Sequence, residues 1–361
     1  MRARVADATA FAAAAAKGWA EWAGRPPTAL EDAPGVAVGP DRTLLAGDLQ
    51  RLAAAGCGGD RELADWLGGL APYPEVPGVP LPVRCGPYAL HFGIKTYVVA
   101  ILNRTRDSFS EERPDLPGVD ELVERAWAAY AAGADIVDLG AESSLERDQG
   151  GLAPAVEADR LRGVVEALAD LPAIISLDTR RGAVARELLG LRPMIINDVD
   201  ALADASLAAC AAEAGVPVVL MRAASLPAAG DPLPPVMAEL AEALARAQAG
   251  GVARDQCILD AGFGFGTTST QDLEVTRRLG EVRRLGRPLL HAPCRKRAIG
   301  AVLGFPESIP ERLAGTAAAV TAGIATGVDL VRVHDLPALA RVARMSDAVY
   351  RGTGWRDIVA P

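Results

Sequence analysis

TYVVAILNRTRDSFS, residues 96–110, is the stretch on which the fold turns. Its first seven residues are apolar or β-branched without a break, the mark of a strand covered on both faces. The run stops at Asn103 and passes into a polar, charged segment. Beyond it lies VDELVERAWAAYAAG, residues 119–133. Here Leu122, Ala126 and Ala129 share one helical face with Val123 and Tyr130 alongside, and Gly133 suits the position just past a helix end. A second apolar run, DIVDLG at 135–140, follows. Strand, loop, helix and strand in that order make a βαβ unit, which sets the two strands parallel.

The same alternation continues to the end of the chain. Apolar runs recur at AIISLD (173–178), MIIND (194–198), VPVVLM (216–221), CILDAG (257–262), PLLHAP (288–293) and LVRVHD (330–335). Helical stretches separate them, DLEVTRRLGEVRRLG at 272–286 among them. Eight strands alternating with helices predict an α/β fold, a closed (β/α)8 TIM barrel over residues 88–350 rather than a doubly wound open sheet.

Residues 1–71 have a different texture, Ala-rich and holding Trp19, Trp22 and Trp66. Their spacing predicts a mainly helical N-terminal extension, with helices near 5–23, 42–56 and 59–70, and its simplest role is packing or dimerisation. PYPEVPGVPLPVRCGP at 72–87 carries six prolines and reads as a linker or a strap across the barrel. Residues 351–361 form a C-terminal tail.

Composition narrows the function. The 361 residues are half apolar, carry a formal net charge of −9 and have a pI near 5.1. No surface for nucleic acid or an anionic membrane is indicated. Cys57, Cys85, Cys210, Cys257 and Cys294 show no CxxC or zinc spacing, which fits a reducing cytoplasm. The Ala-rich start is interrupted by Asp7 and followed by Lys17 and Glu21, so it reads as a helix and not a signal peptide. No run reaches the roughly 20 apolar residues of a membrane span.

A barrel of this kind carries its active site at the C-terminal ends of the strands. Those ends hold Asn103; Glu142, Ser143 and Ser144; Asp178 and Thr179; Asn197 and Asp198; Met221 and Arg222; Asp260 before GFGFG; Cys294, Arg295 and Lys296; and Arg332, His334 and Asp335. One polar strand end is most simply a cap. Polar groups at all eight form a mixed-charge mouth. Asp260 and Asn197 suit a flat heterocycle with an amidine-like edge, since a carboxylate accepts two parallel N–H bonds and an amide both donates and accepts. Arg332 and His334, two apart on a strand, point to one side. With Lys296 they form a cationic group suited to a phosphate or diphosphate. Asn103 is a neutral oxygen ligand for Mg²⁺ already held by diphosphate oxygens. No GxSxG elbow, paired Cys–His nucleophile or carboxylate cage for a resident metal is present. An amine-rich ring with a diphosphate leaving group points to group transfer. GFGFG (262–266) alone is a weak phosphate signal, and Phe265 reads equally as a stacking face or a packing residue.

These residues resemble those of dihydropteroate synthase, colinearly over 88–350. ILNRTRDSFS is similar to the family's I-L-N-V-T-P-D-S-F-S, and GADIVDLGAESS to its G-A-D-I-I-D-I-G-G-E-S-T. SLDT, IIND, LDAGFGFG, the Arg-Lys of CRKRAIG, and RVHD follow in family order. The resemblance implies a pterin pocket lined by Asp178, Asn197, Asp260 and Lys296, with Met221 and Phe265 flanking the ring. It implies that Asn103, Arg332 and His334 hold the diphosphate, Asn103 reaching Mg²⁺, and that Asp107, Ser108, Phe109 and Ser144 belong to two mobile loops. It also implies the joining of a pterin-CH₂-diphosphate to 4-aminobenzoate or a related arylamine, with release of diphosphate, and a homodimer.

The chain departs from the family at its loops. Arg106 replaces Pro, EERPD (111–115) replaces D-G-G, and SSLERDQGG replaces S-T-R-P-G. Leu145 stands where the family has an anion-binding Arg, with Arg147 two residues on. Thr267 replaces a Lys, Ala292 and Cys294 replace Gly and Ser, and Arg297 replaces the Ser after Arg-Lys. Two other readings stay open: a pterin-binding paralogue without turnover, and a methyltetrahydrofolate-dependent methyltransferase. The diphosphate-type residues Lys296, Arg332 and His334 argue against the latter.

Overall fold

A computed structural model describes residues 82–351, save 94, 106, 109–110, 113–115, 144–145, 148, 223 and 306–307, together with three short strands nearer the N-terminus. The chain divides into two compact units, residues 1–80 and 81–361. In the first, Arg4–Val5 pairs parallel with Ala20–Trp22, which pairs antiparallel with Thr43–Leu44. These strands lie at the helices expected near 5–23 and 42–56 and correct that expectation for the residues concerned. Backbone pairing there outweighs the helical preference of the neighbouring alanines. The helix expected at 59–70 and the Pro-rich residues 72–81 lie outside the described residues.

The second unit is a closed barrel of eight parallel strands: β1 (Tyr97–Asn103), β2 (Ile136–Gly140), β3 (Ile174–Asp178), β4 (Ile195–Asp198), β5 (Val218–Met221), β6 (Cys257–Asp260), β7 (Leu289–His291) and β8 (Leu330–Val333). Each strand pairs with the next, and β8 closes on β1 with Leu330 opposite Tyr97. Helices between the strands include α1 (Val119–Ala131), α2 (Pro154–Ala167), α3 (Gly182–Leu189), α4 (Ala205–Ala214), α5 (Leu233–Ala249), α6 (Ser269–Arg277), α7 (Leu313–Ala325) and α8 (Leu336–Tyr350). The helix expected over 272–286 is divided. A capping box between Thr268 and Gln271 starts α6 early, the chain breaks at Arg278, and short turns follow at Leu279–Val282 and Arg283–Leu285.

Side-chain alternation along the strands explains where the site lies. Outward-facing residues such as Val98, Val137, Leu139, Ile175 and Leu177 pack on the helices in the larger core. Inward-facing Tyr97, Val99, Ile136, Ile174, Ile195, Val219, Ile258, Leu290 and Leu330 form a second core inside the barrel. A hairpin of Val83–Cys85 and Tyr88–Leu90 closes the lower end, burying Val83, Cys85, Leu90 and Phe92 in that inner core. Residues 82–87 of the Pro-rich stretch are thus part of the barrel unit. Each large apolar side chain buried there stabilises the fold by about 1.5–3 kcal/mol. Two residues up five of the strands, the next inward positions are polar: Asp138, Ser176, Asn197, Asp260 and Arg332, all but Arg332 buried. Buried groups of this kind must bond one another or a ligand.

Candidate active site

Strand register sets the rim. Asn103 on β1 lies opposite Gly140 on β2, which lies opposite Asp178 on β3. A Cβ on Gly140 would come within 2.8 Å of the Asn103 Oδ1. The glycine therefore supplies the space that the amide occupies. That Oδ1 is buried and has no hydrogen-bond donor among the described residues.

Below the rim, Arg332 reaches across the barrel. Its Nε donates to Asp138 Oδ2 at 2.7 Å and its Nη2 to Asp178 Oδ2 at 2.7 Å. Asn197 Nδ2 donates to Asp138 Oδ2 at 3.2 Å, and Asp138 Oδ1 is left without a partner among the described residues. Burial opposes the Arg332 charge, but Asp138 and Asp178 outweigh it and hold the guanidinium protonated above its ordinary range. Burial pushes Asp178 up to about 7, against the pull of Arg332 and with the push of Asp138. Asp138 was not among the expected site residues, because it sits inside an apolar run. The signal that finds it is parity: it shares the inward face of β2 with Ile136 and Gly140.

The strand ends are less cationic than the residue types imply. Arg332 already faces two carboxylates. Burial, with Arg332 and Arg295 nearby, pushes His334 down to about 3, so its imidazole is neutral at pH 7, with a buried Nδ1 that has no partner among the described residues. Burial and Arg332 together bring Lys296 down to about 8, against the pull of Asp260 and Asp272.

The glycine-rich loop joins these groups. Asp260 is buried at the end of β6, opposite Met221 on β5, and accepts the Gly262 N–H at 2.8 Å. Burial raises its pKa, while that N–H and Lys296 oppose the rise. Gly262, Gly264 and Gly266 all hold positive φ, and a Cβ on Gly264 would meet Lys296 Cδ at 2.9 Å. Lys296 Nζ sits 3.8 Å from the centroid of the Phe265 ring, a cation–π contact. Phe263, in contrast, is buried edge-on to His291. Phe265 is thus the ring that meets Lys296, and Phe263 packs against His291.

Other polar strand ends serve the scaffold. Asp198 accepts the N–H groups of Asp200 and Leu202, capping the turn after β4. Glu142 accepts from the Leu152 N–H and pairs with Arg180 and Arg181. Arg147, placed near the family's missing arginine, pairs with Asp200. Arg295 makes a two-pronged contact with Asp335, and the Cys294 thiol accepts the His334 N–H. Asp107–Ser108 pairs with Glu111–Glu112 as a short antiparallel ladder. Phe109, Ser144 and Leu145 lie outside the described residues.

Residues 99–334 match the family described as pterin binding enzyme. The dihydropteroate synthase of Bacillus subtilis is 38% identical over 274 residues, which cover 75% of this chain and 95% of that one. The crystal structure of dihydropteroate synthase from Thermus thermophilus in complex with 6HMPPP aligns with a TM-score of 0.64 at 34% identity, covering 75% of this chain and all of that one. That of Xanthomonas albilineans with 4-aminobenzoic acid aligns at 0.66 and 30% identity, covering 75% and 98%. With its barrel, its polar layer and these relatives, this chain belongs to the dihydropteroate synthase family of pterin-binding transferases.

Proposed function

We propose that the protein condenses a pterin-CH₂-diphosphate with 4-aminobenzoate or a related arylamine and releases diphosphate, acting as a cytoplasmic homodimer. The observation that carries this reading is the acceptor-rich floor of the barrel. The Asp138 carboxylate accepts from Asn197 Nδ2, which leaves the Asn197 oxygen to accept from a ligand. Asp178, Asn197 and Asp260 then offer acceptors to the amino and N–H edge of a pterin, and Lys296 offers a donor. Met221 and Phe265 bound the ring. Exposed Val302 on the helix Arg297–Leu303, Leu313 at the start of α7, and Phe305 in the loop between them support a subunit contact there.

The diphosphate end rests on Asn103, Arg332 and His334. The buried, partnerless Oδ1 of Asn103 fits a hard-cation ligand, so Asn103 would hold Mg²⁺ whose other ligands are diphosphate and water. When bound, the ion would neutralise charge on the departing diphosphate. Neutral His334 would donate one ring N–H to the same group. Arg332 keeps its full charge beside the breaking C–O bond, while Asp138 and Asp178 balance the positive charge that develops on the pterin methylene. The amine nitrogen attacks that carbon and loses a proton, and the pair of electrons of the C–O bond leaves with the diphosphate. The pairing of Arg147 with Asp200 favours the alternative, a pterin binder without turnover, because that guanidinium is engaged.

Calorimetry on Asp260→Ala tests the pocket: loss of pterin diphosphate binding is expected, and undiminished affinity would overturn the placement. Restoration of folate-independent growth to cells lacking their own synthase separates enzyme from binder.

A further inference from the structure

Arg222, directly after β5, is 1% exposed and among the largest fully buried side chains. It forms no salt bridge among the described residues, although the carboxylates of Glu239, Asp260 and Asp272 lie near enough to favour its charge. Its Nε donates to the Ala261 carbonyl at 2.8 Å, its Nη1 to that of Ala224, and its Nη2 to those of Gly262 and Phe265. Three of these four carbonyls lie in the glycine-rich loop. Burying a cation against neutral carbonyls costs several kcal/mol in desolvation. In return the planar fork fixes successive carbonyls at set heights, which no shorter or neutral side chain spans. Gly262 permits this approach: a Cβ there would meet Arg222 Cγ at 3.1 Å.

Above the loop stands Lys296. Its stem rests on Gly264 and its ammonium on the Phe265 ring, and Arg332, Asp260, Asp272 and Cys294 are the charged and titratable groups that face it. Arg222, loop and Lys296 therefore form three tiers. We propose that Arg222 is a positioning residue of the pterin pocket: it holds the Phe265 backbone from below and so places the ring that seats the Lys296 ammonium. The pterin part of this inference rests on the proposed function.

The chain contains three lysines, Lys17, Lys95 and Lys296, so ¹³C-lysine NMR can follow Lys296 in the ligand-free protein. The native residue is expected to titrate near 8. Arg222→Met keeps the stem against Gly262 but removes every donor. The Lys296 midpoint is expected to fall below 8, since the ring that favours the ammonium is no longer held against it, with pterin diphosphate affinity falling at least ~10-fold and circular dichroism retained. Phe265→Ala leaves Arg222 in place and should shift Lys296 the same way, and the double variant no further than either single one. If Arg222→Met fails to fold, Arg222→Lys serves, with an intermediate shift expected. An unmoved Lys296 midpoint in folded Arg222 variants, or in Phe265→Ala, would overturn the inference. A native protein that ignores pterin diphosphate would instead overturn the proposed function, with the lysine titration still deciding this one.

Discussion

Gly140→Ala separates the diphosphate end of the site from the pterin end. The added methyl would lie 2.8 Å from Asn103 Oδ1 and an ordinary 3.5 Å from Asp178 Cβ. Gly140 does not hold the left-handed backbone, so alanine fits the strand. The clash falls on the far end of a side chain, which can turn away at a cost of about 0.5–1.5 kcal/mol. The barrel should lose little stability. Asn103, however, can no longer present its oxygen where the Mg–diphosphate group sits. Losing one contact to a charged group weakens binding by about 1.5–3 kcal/mol, or roughly 10- to 150-fold. Calorimetry with Mg²⁺ should show that loss for the pterin diphosphate and none for the same pterin lacking its diphosphate. Equal weakening of both ligands, or of neither, would refute the assignment of Asn103.

Two further perturbations probe the interior. Asp138→Asn leaves Arg332 with Asp178 alone and removes the carboxylate that orients Asn197; a loss of about 3 kcal/mol, at the low end for breaking a buried pair, is expected by thermal melting, together with weakened pterin binding. His291, whose Nε2 has no partner, is pushed by burial down to about 3 from 6.5. The unfolded chain therefore binds the extra proton between those values, and folding loses stability as pH falls through that window. His291→Leu should gain about 1.4 kcal/mol relative to the native protein for each pH unit below 6.5, and nothing above it, in pH-resolved denaturation. Asp178 and Asp198, which work in the opposite sense, are common to both proteins and cancel in the difference.

Much of this arrangement is legible in the residues themselves. The strands are mainly apolar because helices cover one face and the barrel interior the other, so TYVVAIL and its seven counterparts stand out, and Asn103, Asp178, Asn197 and Asp260 mark their upper ends. What eludes such reading depends on partners brought from afar. Asp138 lies 194 residues from Arg332, and nothing local distinguishes it from a strand error. Arg222 looks like one more cation at the mouth, yet three of its four bonds go to loop carbonyls 39–43 residues on. The charge state of His334 follows from burial beside Arg332 and Arg295, which no spacing reveals. In the N-terminal unit, short strand pairings override a composition that favours helix.

Turnover tests the central claim most directly. Purified protein is given the pterin-CH₂-diphosphate, Mg²⁺ and 4-aminobenzoate, and dihydropteroate and diphosphate are followed together. The account predicts their release in equal amounts, dependent on the amine and abolished by Asp260→Ala. Tight pterin binding with no product from 4-aminobenzoate or any arylamine would contradict it.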